Sequence, residues 1–173
     1  DLANAQVIAF FDCYVKPLQN WIDPILKTLE ERPRAVALPA IQDLDPHSWD
    51  VRAGKNHFDN LFTWEAETVQ LYFDPQYITW PFPIDQGNIL VLRRAWWQEL
   101  GGYDGMMRGS STLLIESIDL SLKVLLCGGE FVPMADSIVG FCHEQHGTLH
   151  HEREDIFFNQ ARIISSWFGD WRA

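Results

Sequence analysis

Glu116 and Asp119 stand three residues apart in a run whose apolar positions follow helical spacing, so both carboxyl groups fall on nearly one helix face. Two carboxyl groups placed like this suit general acid–base work or the gripping of sugar hydroxyls, although the same spacing describes an ordinary solvated face. Asp12 ends the apolar run Val7-Ile8-Ala9-Phe10-Phe11. A carboxylate at the C-terminal end of a strand is a recurrent ligand position in open α/β sheets, and equally a cap for the turn that follows. His143, His146, His150 and His151 lie beside Cys142, Glu144 and Glu152, a supply of borderline metal ligands. Their spacing matches no zinc signature, and Gly147 argues against the helix that would bring His143 and His146 together, so a metal-binding loop and a plain surface loop both stay open. The chain contains no P-loop, no GxGxxG and no nucleophile elbow.

These residues need elements to hold them. The Val7–Phe11 run suits a strand covered on both faces. Leu18, Trp21, Ile22, Ile25, Leu26 and Leu29 keep helical spacing, with Pro24 in the first turns and Pro33 past the end. Arg34 to Gln42 is a second apolar strand, completing a βαβ-like unit that predicts a mainly parallel sheet. Residues 43–86 carry four prolines and many aromatics with little period, so they predict a long excursion with a short strand near Val69 to Phe73. Asn88 to Arg93 predicts a buried strand, Arg94 to Leu100 a short helix ended by Gly101-Gly102, and Leu113 to Cys127 a longer one closed by Gly128-Gly129. Two short strands are expected at Glu130 to Pro133 and Ser137 to Phe141, then an amphipathic helix from Arg153 to Phe168.

The 173 residues, 47% of them hydrophobic, fit one packed domain and exclude a disordered chain. A formal charge of −11 disfavours a phosphate-neutralising nucleic-acid surface. No window approaches the roughly 18–20 apolar residues of a membrane span. Three cysteines, Cys13, Cys127 and Cys142, are too few for a disulfide scaffold. The tryptophans, Trp80, Trp96, Trp97, Trp167 and Trp171 among them, suit core or interface positions better than a sugar-stacking platform.

Taken in order, these segments resemble the second half of the catalytic domain of polypeptide N-acetylgalactosaminyltransferases, and more distantly other GT-A glycosyltransferases. Phe10-Phe11-Asp12-Cys13-Tyr14 with Trp21 and Pro24 is similar to the family's strand ending in Asp-x-His and its W-x-x-P helix. Leu100-Gly101-Gly102-Tyr103-Asp104 resembles its L-G-x-Y-D, and Glu116 to Lys123 followed by Cys127-Gly128-Gly129 resembles its G-G-E-N-x-E-x-S-x-R and C-G-G. Val139-Gly140 falls at its V-G-H, and Asn159, Arg162 and Trp167 keep the spacing N-x-x-R-x-x-x-x-W. The resemblance implies a partial GT-A-like α/β fold, a mixed and mainly parallel sheet flanked by helices. It implies one domain over residues 1–173 lacking the N-terminal nucleotide-binding half, with another chain or segment completing the sheet. Golgi lumen or the wider secretory pathway is the implied compartment.

The resemblance also implies a divalent metal, usually manganese, bridging a nucleotide diphosphate to Asp-x-His and to the His of V-G-H. Here Asp12 is kept, but Tyr14 and Phe141 stand at the two histidine positions. Asp12 and Tyr14 are the expected donor-contacting residues, Asp12 and His143 the expected metal ligands, and Glu116 and Asp119 the candidate catalytic pair. Leu114 and Ile115 replace the glycines before Glu116, and Ser117 its Asn. The cysteine that pairs with C-G-G in the family is Asp136 here, which leaves Cys127 without that bridge. The leading expectation is a transferase-like module with an eroded metal and donor site, non-catalytic, with no cofactor, docking through the aromatic excursion from Trp49 to Trp80. The competing expectation is a piece of an active, manganese-dependent UDP-sugar transferase whose upstream half sits on another chain.

Overall fold

The structure, a computed structural model, describes residues 4–54, 61–62, 68–69, 89–109, 112–142 and 153–169. Its strands are β1 (Val7–Phe11), β2 (Val15–Pro17), β3 (Ala35–Asp43), β4 (Leu61–Phe62), β5 (Thr68–Val69), β6 (Ile89–Arg93) and β7 (Glu130–Phe141). The helices are α1 (Asp23–Glu31), α2 (Arg94–Leu100), α3 (Thr112–Leu126) and α4 (Arg153–Trp167). β4 and β5 pair with each other, and the other five strands form one sheet in the order β1-β6-β3-β7-β2.

Period-two alternation sends the strand side chains to two cores. Ala35, Ala37 and Ile41 of β3, Ile89 and Val91 of β6, and Val139 and Phe141 of β7 meet Ile25 and Leu29 of α1. Val36, Leu38, Leu90 and Leu92 pack on the opposite side against Trp96 and Leu100 of α2 and Leu120 and Val124 of α3. A third cluster, Ile115, Ile118 and Ile163, seats α4 on α3.

The mixed sheet flanked by helices is as expected, but its parallel share is smaller than the βαβ reading predicts. Among the described residues only β3 and β7 run parallel, and β1·β6, β6·β3 and β7·β2 are antiparallel. The excursion returns the chain as β6 between β1 and β3, a strand order that local apolar pattern does not encode. α1 also starts later than its apolar spacing suggests. Asn20 takes φ 59° and Pro24 stands in the first turn, which confines the helix to residues beyond Ile22. The two short strands expected after Gly129 are one strand, β7, with its register against β3 shifted between Pro39 and Ala40. The strand expected at Val69 to Phe73 coincides with β5 at Val69, and its remainder lies outside the described residues.

The sheet has one consequence for the site. β1 and β2 sit at opposite margins, yet only residues 12–14 join them. Five flat strands would hold their margins about 19 Å apart, whereas the four Cα steps from Phe11 to Val15 reach about 14 Å at most. The sheet therefore curls and opens where β6 leaves β3, which pair only at Val36↔Leu92 and Ala37↔Val91. The link at Asp12 bridges that opening at the end where β1, β3 and β7 all finish.

Candidate functional site

The carboxyl ends of strands are where open α/β sheets take ligands, and Asp12, Tyr14 and Phe141 lie there. Asp12 closes a small turn: its carboxylate accepts the Tyr14 N–H at 3.4 Å and its carbonyl the Val15 N–H at 3.2 Å. The Tyr14 carbonyl accepts the Cys142 N–H at 3.2 Å, and Val15 pairs with Phe141. Tyr14 and Phe141, distant in sequence, are thus brought together. Their side chains enter the same apolar cluster, Tyr14 at its edge and Phe141 inside it at 1% exposure. Cys13 is exposed between Asp12 and Tyr14, and a hydrogen bond to the Asp12 carboxylate is the chief cause that pushes its thiol up. All three cysteines are free, with Cys142 buried. His143, like the rest of the histidine loop, lies outside the described residues. Among the described residues no three His, Cys, Asp or Glu side chains group as a metal site would require.

Glu116 and Asp119 share a face of α3 but not an environment. Asp119 is 3% exposed, accepts the Trp167 indole N–H at 2.6 Å and has the Lys123 ammonium 2.8 Å from its second oxygen. That second contact is an ion pair without hydrogen-bond alignment, and Lys123 also donates a hydrogen bond to the Gly102 carbonyl at 2.8 Å. Glu116 is half-buried, and among the described residues nothing hydrogen-bonds its carboxylate. Burial first, then the negative charges of Asp104 and Asp119, pushes its carboxyl above the ordinary range.

Sequence reading missed what surrounds this pair. Asp104 forms a two-pronged ion pair with the Arg162 guanidinium and accepts the Met106 N–H at 2.9 Å. The Arg162 hydrogen bond is the chief cause that holds the Asp104 carboxyl low. Asn159, fully buried, exchanges two hydrogen bonds of 2.9 Å with the N–H and carbonyl of Arg108. The available signal was the spacing of Asn159, Arg162 and Trp167, which says that one helix carries all three but not what they hold.

Along the far margin, β1 has only β6 as a partner among the described residues. Phe11 is 40% exposed, its ring edge-on to Trp21 at 5.2 Å. A cavity of about 490 Å³ opens beside this strand between residues 5–9 and α1, lined by Val7, Trp21, Ile22, Leu26 and Arg93.

No family model matches the chain. Comparison with curated proteins finds it similar to a probable N-acetylgalactosaminyltransferase 8 of Caenorhabditis elegans, 31% identical over 182 residues that span 99% of this chain and 42% of the relative. It is 28% identical to polypeptide N-acetylgalactosaminyltransferase 8 of Drosophila melanogaster, over 99% of this chain and 31% of the relative. A putative inactive polypeptide N-acetylgalactosaminyltransferase 12 of the same fly is 24% identical, over 99% of this chain and 32% of the relative. Among solved structures, that of GalNAc-T7 with UDP, GalNAc and Mn2+ superposes with TM-score 0.73 at 19% identity, over 95% of this chain and 32% of that one. The chain therefore has the fold of part of a GT-A glycosyltransferase, and it spans well under half the length of these relatives.

Proposed function

We propose that this chain, similar along its whole length to polypeptide N-acetylgalactosaminyltransferases, is a glycosyltransferase module that has given up its cation and acts as a non-catalytic, partner-binding component. The observation that carries the reading is Phe141, which is 1% exposed inside the apolar cluster that Tyr14 borders. A phenyl ring has no donor atom, and a phenol is a poor ligand for manganese. Asp12 already gives an oxygen to its own turn. Among the described residues no group of three ligating side chains forms around Asp12 and these two aromatic rings, which does not fit a divalent ion that also has to hold a diphosphate. No step of a metal-assisted transfer is therefore assigned to these residues. The secretory-pathway lumen is the compartment this reading takes over from the relatives.

The excursion from Trp49 to Trp80, expected to be the docking surface, lies mostly outside the described residues, and the partner surface in this reading is the β1 margin. Its residues are all apolar, Ala9 and Phe11 are exposed, and no Lys, Pro or bulge guards the edge. A polypeptide segment adding a strand there would complete the sheet and cover the neighbouring cavity. Hydrogen exchange tests this: the outward-facing β1 amides, those not bonded to β6, exchange fast in the isolated chain and slow when the partner segment is supplied.

Manganese titration of the purified chain, followed by electron paramagnetic resonance with and without UDP-GalNAc, tests the loss of the cation. Free manganese signal undiminished in both is expected. Stoichiometric uptake abolished by Asp12→Ala would overturn the proposal.

One observation favours the second reading, a piece of an active transferase whose upstream half is separate. Glu116 has a carboxyl with raised proton affinity and, among the described residues, no hydrogen-bond partner, as an acid or a sugar-hydroxyl contact requires. Asp119, tied to Trp167 and Lys123, would then support it. That reading predicts donor turnover by the reassembled protein, lost in Asp12→Ala.

A further inference from the structure

The backbone of β1 has two sides, and its pairing with β6 occupies one of them. Ile8 stands opposite Leu92 and Phe10 opposite Leu90, and the Arg94 N–H donates to the Gln6 carbonyl at 2.8 Å. Residues that bond a given neighbour alternate along an antiparallel strand, so Gln6, Ile8 and Phe10 turn their N–H and carbonyl groups toward β6. Val7, Ala9 and Phe11 turn theirs outward, where no strand follows among the described residues.

The side chains sort by the same alternation. Phe10 packs on the α2 side, its ring centre 4.6 Å from that of Trp97. Val7, Ala9 and Phe11 face the α1 side, where α1 covers β3, β6 and β7 but leaves β1 only partly shielded. The cavity opens there, beside Val7 and Ala9, with Trp21, Ile22 and Leu26 as its far wall. Toward the other end of the strand the Phe11 ring stands out, 40% exposed. One edge thus carries a hollow and a projection on the same face, on either side of Ala9.

A two-fold axis through Ala9, perpendicular to the sheet, superposes one on the other. It lays a second β1 antiparallel to the first, with Ala9 opposite Ala9 and each Val7 opposite the Phe11 of the other copy. The outward N–H and carbonyl groups of all three residues then find partners, and each Phe11 ring falls at the mouth of the other copy's cavity. We infer that β1 is the interface of a two-fold dimer in which two copies of this chain join their sheets edge to edge. The inference rests on the β1 margin being the partner surface and names the partner. Val7–Phe11 contains no charged residue, while each copy carries −11, so the contact is apolar and main-chain and the long-range force between copies is repulsive. A five-residue edge is small beside the about 800 Å² per partner of a standard interface, which makes the dimer concentration-dependent.

Sedimentation velocity of the intact chain, from micromolar to several hundred micromolar, tests this. The weight-average mass climbs from that of one chain toward that of two, and added salt shifts the rise to lower concentration by screening the repulsion. Ala9→Lys, at an exposed position whose backbone faces outward, and Phe11→Ser, which removes the projection, each weaken association at least tenfold with circular dichroism unchanged. A mass of one chain at every concentration, a dimer that salt dissociates, or one that survives both substitutions overturns the inference; should one variant fail to fold, the other decides alone. The two readings fail separately: a chain that stays single but whose β1 amides are protected by a different polypeptide ends the dimer and keeps the margin as a partner surface.

Discussion

Replacing Phe141 by His places a nitrogen ligand where the chain has a phenyl ring, and it distinguishes a hydrophobic core from a cation site. The ring is 1% exposed among Ile25, Leu29, Ile41, Ile89, Val91 and Val139. Truncating a buried Phe to Ala costs about 3–5 kcal/mol; His keeps a smaller ring, so the loss of apolar packing is roughly 1–2 kcal/mol by the same reasoning. An imidazole also buries a donor or acceptor without a partner, about 1–3 kcal/mol more. The expected loss is therefore about 2–5 kcal/mol at neutral pH, and at ~2–4 °C per kcal/mol for a domain of this size Tm falls by roughly 4–20 °C. Burial disfavours the imidazolium, so the folded pKa lies below the unfolded value of about 6.5. The unfolded chain then binds more protons, and the loss deepens as pH falls below about 6.5 and levels off above it. Circular dichroism melts of the variant on either side of that pH, with and without millimolar manganese, read both effects. A variant as stable as the parent, or one that manganese at a hundred times its Kd raises by the corresponding ~2.7 kcal/mol, would show a coordination site where we see core, and the argument from burial would be refuted.

Glu116→Gln removes a carboxylate whose folded pKa is raised above the ordinary 4.5, a group that favours folding only while protonated. The variant is therefore more stable than the parent at neutral pH, and the advantage fades below the unfolded value; urea titrations at both ends check it, and a variant less stable at neutral pH contradicts it. Trp167→Phe deprives the buried Asp119 of its 2.6 Å hydrogen bond while keeping the apolar contact with Ile115, Ile118 and Ile163, at a cost of about 1–3 kcal/mol in urea unfolding. Gly140→Ala would set a Cβ 2.5 Å from Leu44 Cδ2 and 2.8 Å from its Cγ. That overpacking costs about 1–3 kcal/mol, and combining it with Leu44→Ala gives a double variant less destabilised than the sum of the two. Asp12→Asn frees Cys13 from the neighbour that pushes its thiol up, so alkylation of Cys13 quickens at mildly alkaline pH, as mass spectrometry of the labelled peptides would record.

Local pattern was a good guide wherever one element could be recognised alone. Arg94 to Leu100 is a helix with those bounds, ended by Gly101 at φ 78°, because the left-handed stop is written in the residue type. β3 and β6 are likewise buried strands, as their unbroken apolar runs require. What the residues did not disclose is order and pairing. β6 inserts between β1 and β3, so a run that reads as a doubly covered strand, Val7–Phe11, is a margin with Phe11 exposed. The candidate site divides in the same way. That Glu116 and Asp119 share a face followed from their spacing of three. That Asp119 is taken by the Trp167 indole, while among the described residues nothing hydrogen-bonds Glu116, depends on a helix more than thirty residues downstream.

The aromatic residues at Tyr14 and Phe141 and the polar latch on α4 have opposite bearings on chemistry, yet both stabilise the same framework. A histidine at the end of β7 would have to keep a polar ring beside Val139 and Ile41, an arrangement favourable only when a cation repays it; a phenyl ring there adds to the core with no ion bound. The latch has no such alternative. Asp104, Asp119 and Asn159 are held at part-buried or buried positions, and removing any one partner strands a polar group away from water. The cation position can therefore drift toward hydrophobic packing while the fold gains, whereas the surroundings of Glu116 cannot change without loss. On the proposed function, a chain under pressure to fold but not to turn over substrate would retain the second and shed the first.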